Sequence, residues 1–158
     1  AFPDLIFAMA IMTFMGKGVL NLFIALGLLT WVRTARMIRG SVIQLKEKEY
    51  IEASRACGAS TYWIIMKGLV PNCLSTIIVL VTLGIPNAIM YEASLSFLGI
   101  GIQPPTPSWG NMISAAQTFI SFRPVYSIMP GVAIMITVIA FNIFGDGLRD
   151  ALDPKLKN

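Results

Sequence analysis

The chain has 158 residues, 56% hydrophobic and only 13% charged, with a mean hydropathy of +0.73. A soluble domain carries about a quarter charged residues, so this composition excludes an ordinary soluble fold and indicates an integral membrane protein. The net charge is +4 and there is no histidine, which excludes His-based acid–base chemistry and His metal sites.

The first apolar run is Leu5–Gly16. It is short, because a membrane helix needs about 20 residues. The opening, AFPDLIFAMAIMTFMG, reads as a helix already under way, with no start Met and no recognisable signal peptide. More chain is therefore expected before it. The second run, Gly18–Val32, ends on Arg33, Arg36 and Arg39. Spaced by three, these arginines share one side of a helix and are expected to snorkel to the headgroup layer, marking the end of the span. The third run, Gly68–Tyr91, and the fourth, Pro124–Gly145, are long enough to cross a bilayer at about 1.5 Å per residue. Neither has a polar face, which argues against a soluble four-helix bundle. Ala93–Phe122 is also uncharged, but prolines and glycines interrupt it, and it is not counted as a span. Within it, Gly99–Met112 carries Pro104, Pro105 and Pro107 and is expected to form a rigid extracytoplasmic turn without helix, with Trp109 at the interface. The expectation is an all-α polytopic protein with about four spans in a single transmembrane domain covering 1–158.

Charge sets the orientation. Arg33, Arg36, Arg39, Lys46, Lys48, Arg55 and Lys67 lie between the second and third runs, and Arg149, Lys155 and Lys157 follow the fourth. Only Lys17 and Arg123 fall on the other side. The positive-inside rule puts the 33–67 segment and the C-terminus in the cytoplasm. Basic residues spread between apolar runs in this way do not form a nucleic-acid patch. Cys57 and Cys73 make no metal or disulfide pattern and read as small packing residues.

EYIEASRACGAS, Glu49–Ser60, breaks the apolar pattern. Residues 41–57 have helix-forming composition, with Lys48 and Glu52 four apart and Leu45, Ile51, Ala53, Ser54 and Ala56 supplying a less polar surface. Gly58 stands just past the helix end, where glycine adopts a left-handed backbone at little cost. Ser60 is placed to cap a second short helix from Thr61. Pro71 suits the first turn of the third span. The segment 41–70 thus reads as helix, glycine turn, helix, span. Its small residues would let another protein approach closely; equally, an amphipathic helix could lie on the membrane surface. The residues alone leave both readings open.

Two further acidic features follow. Glu92 lies about 30 Å along the helix from Pro71, near the outer interface. It reads either as a solvated carboxylate or as a translocation or gate residue paired with Arg123. Asp146, Arg149, Asp150 and Asp153 follow the fourth run and form a candidate ion network at a solvated helix end.

The 41–70 loop resembles the cytoplasmic signature of inner-membrane permeases of binding-protein-dependent ABC importers: Glu-Ala-Ala, three residues, Gly, nine residues, Ile, one residue, Leu-Pro. Glu52, Ala53, Gly58 and Pro71 stand at the matching positions. Ser54 replaces the second Ala, Gly68 stands where Ile is usual, and Val70 replaces Leu. YEASLSFLGIGIQPPTPSWGNM and FNIFGDGLRDALDPKL resemble the dipeptide/oligopeptide (peptide/nickel) branch, specifically the C-terminal half of its C-type subunit.

The resemblance implies a permease of the bacterial or archaeal cytoplasmic (inner) membrane that translocates di- or oligopeptides, or alternatively nickel or another small solute. It implies that Glu52, Ala53, Ser54, Gly58 and Pro71 belong to a coupling loop docking on a cytoplasmic ATPase. It implies a second permease subunit, two ATPase subunits and an extracytoplasmic binding protein as partners. No cofactor is bound directly; ATP is used by the partners. A membrane-embedded enzyme is disfavoured by the lack of a nucleophile–base arrangement. A motor-free channel or scaffold has no need of the signature loop.

Overall fold

In a computed structural model, residues 3–152 are described, and among them every regular element is helical. The expectations attached to Asp153, Lys155 and Lys157 lie outside the described residues.

Helix α1, Asp4–Met15, has 12 residues and is about 18 Å long, too short to cross a membrane by itself. Helix α2 is Val19–Lys46 and α3 is Glu49–Ala56. Helix α4 runs unbroken over Thr61–Phe97, α5 is Trp109–Ala116, and α6 is Val125–Leu152. Three helices, α2, α4 and α6, are long and apolar enough to span. Of the four expected spans, the first is thus present only as the short α1.

The connections differ from the expectation in three places. The second span does not end at Arg33; α2 continues to Lys46. Between Arg33 and Lys46 nearly every residue is a good or fair helix former, so hydrophobicity falls without any signal to stop. The break comes at Lys48, whose extended backbone (φ −80°, ψ 137°) turns the chain into α3. Residues 41–46 therefore belong to the span helix. Second, the short helix from Thr61 does not precede a separate span. It passes through a π turn, Ile64–Leu69, directly into the rest of α4. The Val70 N–H donates to Ile65 O, the five-residue spacing of that turn. Pro71 follows it inside a continuous helix, where its missing N–H is tolerated because the widened turn has already left the regular ladder. Third, Gly99–Met112 is a turn only as far as Ser108. The Ser108 hydroxyl accepts from Asn111 N at 3.2 Å and starts α5 at Trp109. Pro104, Pro105 and Pro107 keep helix out of the preceding residues, and the Pro104–Pro105 peptide is cis.

Two buried clusters fix the helices at opposite ends. Ala8 and Met12 of α1, Leu22 and Ala25 of α2 and Leu95 of α4 pack at one end. Ile51 of α3 and Ile64 and Leu69 of α4 pack at the other, with Val42 and Leu45 of α2 against them. Helices α2 and α4 are therefore antiparallel, and α3 sits at the end opposite Leu95. Helix α6 lies along α4, and α5 wedges against both at the Leu95 end. Elsewhere the long helices turn apolar side chains outward, among them Leu20, Phe23, Ile143 and Phe144. A helix apolar all round is what lipid or a second membrane subunit requires.

Candidate functional site

Helix α3 is an eight-residue corner piece, held by one apolar residue. Ile51 is 1% exposed, seated among Ile64, Leu69, Val42, Leu45 and Ala59. Burying an isoleucine is worth roughly 1.5–3 kcal/mol, enough to fix a helix too short to be stable alone.

A polar clasp adds to that anchor. Gly68 O accepts from Asn72 Nδ2 at 2.7 Å and from the Tyr50 hydroxyl at 3.3 Å, and Asn72 Nδ2 also reaches Tyr50 Oη at 3.2 Å. Side chains from α3 and α4 thus meet on one carbonyl at the π turn. Gly68 is buried, and a Cβ there would stand 2.6 Å from Ile51 Cδ1. A side chain at this position would push the tip of Ile51 aside, so glycine leaves room for the Ile51 seat.

The far end of α3 closes as the sequence predicts. Gly58 takes φ +79°. Gly58 N donates to Arg55 O at 2.9 Å and Ala59 N to Ser54 O at 3.0 Å, the paired bonds of a Schellman turn. Ser60 Oγ then accepts from Trp63 N at 3.2 Å and caps the next helix. Glu49 and Glu52 stand in the first turn of α3, where carboxylates oppose the helix dipole favourably. Glu52 is exposed and forms no ion pair with Lys48.

What this builds is a shallow hollow lined by Ala53, Ser54, Cys57, Gly58, Ala59 and Trp63. Its floor is small and its rim carries an indole that is 49% exposed. Cys57 is exposed on it, not a packing residue as expected from the sequence; Cys73 alone is buried. Two signature residues lie outside the hollow: Glu52 in the first turn of α3 and Pro71 about two turns beyond Trp63 in α4.

At the opposite end, Glu92 is half-buried and accepts from Ser96 Oγ at 2.7 Å. Ser96 Oγ in turn accepts from Ile102 N at 3.0 Å, tying down the turn after α4. The expected pairing of Glu92 with Arg123 is not formed. Nor do Asp146, Arg149 and Asp150 form an ion network: among the described residues the ion pair is Arg33–Asp4. Among the described residues no group of His, Cys, Asp and Glu could hold a metal ion.

The sequence pointed to the small residues Ala53, Ser54 and Gly58, which line the hollow; Ala56 does not, and the supports Tyr50 and Asn72 carried no signal of their own. The available signal was Gly68, a small residue at a position the signature fills with Ile.

A sequence model of the family described as binding-protein-dependent transport system inner membrane component matches residues 1–158. The chain belongs to this family. It is 43% identical over 157 residues to the glutathione transport system permease protein GsiD of Escherichia coli O157:H7, and equally to those of Shigella flexneri serotype 5b and Shigella sonnei. Each match covers 99% of this chain and 52% of the relative, so the chain spans about half the length of the curated relatives it matches. As a family member it is an inner-membrane component, in agreement with its three long apolar helices.

Proposed function

We propose that the chain forms part of the membrane-spanning permease of an ABC importer for di- or oligopeptides. The glutathione permeases it resembles carry a peptide in their name, and this favours the peptide reading over nickel or another small solute. It does no chemistry itself. ATP is hydrolysed by two cytoplasmic ATPase subunits, a binding protein delivers substrate from outside, and a second permease subunit completes the pathway.

The observation that carries this reading is the hollow on α3. A floor of Ala53, Ser54, Gly58 and Ala59 leaves room for a partner's side chain beside Trp63, and tryptophan is enriched among the residues that anchor interfaces. Ile51 and the Tyr50–Gly68–Asn72 clasp make the hollow rigid with α4. Displacement of α3 by an ATPase is then passed to a helix that runs the length of the bundle. A motor-free channel would gain nothing from this linkage. A helix lying on the membrane would present its apolar residue to lipid, whereas Ile51 is turned inward. Glu92, at the outer end, is our candidate gate residue.

The test uses the full-length protein assembled with its partners. Native Cys57, and Ser54→Cys or Ala59→Cys, are crosslinked to the ATPase subunits with and without ATP. A nucleotide-sensitive crosslink is expected. No crosslink from any of the three in an assembled complex would return α3 to a membrane-surface role.

A further inference from the structure

Helices α1, α2 and α4 line a cleft that is largely apolar but holds a charged pair. Asp4 of α1 and Arg33 of α2 form an ion pair, and the Tyr91 hydroxyl of α4 donates to the same Asp4 oxygen at 3.2 Å. Arg33 is not at a helix end, as the snorkelling expectation requires; it stands halfway along α2. Around the pair lie Thr30, Thr34 and Asn87, with Leu29, Leu80 and Leu83 as apolar walls. The cleft has about 130 Å³ of space, enough for charged groups or a few waters, and it is open to the surroundings at Arg33, which is 62% exposed. A second cleft of about 360 Å³, with Ser75, Thr76 and Arg149, shares Met37, Leu80 and Leu83 with the first. The two adjoining clefts make a groove along α4, from Tyr91 toward the end of α6.

The ion pair is incomplete by its own chemistry. A guanidinium has five N–H donors in a planar fork. In Arg33 a single nitrogen, Nη2, contacts Asp4, and the side chain is 62% exposed. Asp4 is 38% exposed, and Arg33 and Tyr91 both use the same one of its two carboxylate oxygens. Both charges thus face the groove with capacity to spare. An ion pair this exposed contributes little to stability, so it opens readily to a ligand that offers each charge a new counter-ion. A zwitterion supplies both: a carboxylate for Arg33 and an ammonium for Asp4.

We propose that Asp4, Arg33 and Tyr91 form a station in the groove that binds the free termini of a passing zwitterionic peptide. The Arg33 fork takes the carboxylate, Asp4 takes the ammonium, and the Tyr91 hydroxyl holds Asp4 in place when the pair opens. Thr30, Thr34 and Asn87 offer neutral hydrogen bonds to the peptide unit between. The inference rests on the peptide-importer reading above and adds what the pathway recognises.

The experiment is uptake into proteoliposomes holding the full-length protein with its companion subunits and binding protein. Three forms of one peptide are compared: free, C-terminally amidated and N-terminally acetylated. Binding-protein-stimulated ATP hydrolysis reports assembly. In the unaltered protein the free peptide is taken up fastest. Arg33→Gln is expected to cut the preference for free over amidated peptide about tenfold or more, the worth of one charge-assisted hydrogen bond, while leaving the discrimination against the acetylated form. Asp4→Asn is expected to do the reverse. Arg33→Lys and Asp4→Glu keep the charges and should keep both preferences in part; they guard against a variant that does not assemble. Equal loss for all three peptides in both neutral variants, with ATP hydrolysis intact, would make the pair a helix staple and overturn the inference. Absence of any peptide uptake by the unaltered assembly would instead refute the peptide-importer reading beneath it.

Discussion

Ile51→Ala is the perturbation that most directly tests how α3 is held. Ile51 is 1% exposed and packs on Ile64 and Leu69, with Val42, Leu45 and Ala59 around them. Truncating a buried isoleucine to alanine costs about 2–5 kcal/mol. Helix α3 has eight residues and makes few other contacts, so the loss falls on its local docking, not on the membrane bundle. At 1.4 kcal/mol per tenfold, the population of undocked α3 should rise roughly 30-fold to a few thousand-fold. Hydrogen exchange of the full-length protein in detergent reads this directly. Amides of residues 51–59 should lose protection by that factor, while those of α6 stay unchanged. In proteoliposomes the same variant should hydrolyse ATP but transport less per ATP consumed. Unchanged protection over 51–59 would refute the idea that Ile51 anchors α3. Equal loss in α6 would show that the cluster supports the whole bundle and not a separable lever.

Other substitutions probe neighbouring links. Gly58→Val forces a β-branched residue into φ +79° and breaks the turn that ends α3; membrane assembly should persist while uptake uncouples from ATP hydrolysis, and normal uptake would sink the coupling role. Tyr50→Phe removes one donor to Gly68 O, which retains Asn72, and should cost about 1 kcal/mol of α3 protection by the same exchange measurement. Gly110→Ala puts a Cβ 2.3 Å from Ala93 O, a backbone atom that cannot rotate away, so the purified complex should melt at clearly lower temperature, by about 1–3 kcal/mol of overpacking or more. Glu92→Gln can still accept from Ser96, so expression should be normal; lost uptake at normal expression supports the gate role, and full uptake removes it.

The class of this protein follows from its sequence alone. Long uncharged runs have one stable environment, because backbone polar groups in lipid must bond within a helix. Local chemistry also wrote the turn after α3: Gly58 and Ser60 act within three or four residues of themselves, and such short-range bonds form whatever the rest of the chain does. The small residues that line the hollow were legible for the same reason, since Ala53, Ser54 and Gly58 are neighbours in one short helix and its cap.

Other features needed the tertiary structure. The end of α2 was misplaced because hydrophobicity marks where lipid stops, not where hydrogen bonding stops; α2 runs on to Lys46. Pro71 signalled a new helix start, but the π turn before it absorbs the missing donor within one continuous helix. Gly68, which stands where the signature has Ile, gains its meaning only from Ile51 of α3, whose side chain fills the space beside it. Above all, Asp4, Arg33 and Tyr91 lie on three helices and share no local pattern. Only the antiparallel packing of α1, α2 and α4 brings their charges and hydroxyl together, because pairing across helices depends on register and rotation, which a single chain of letters does not carry.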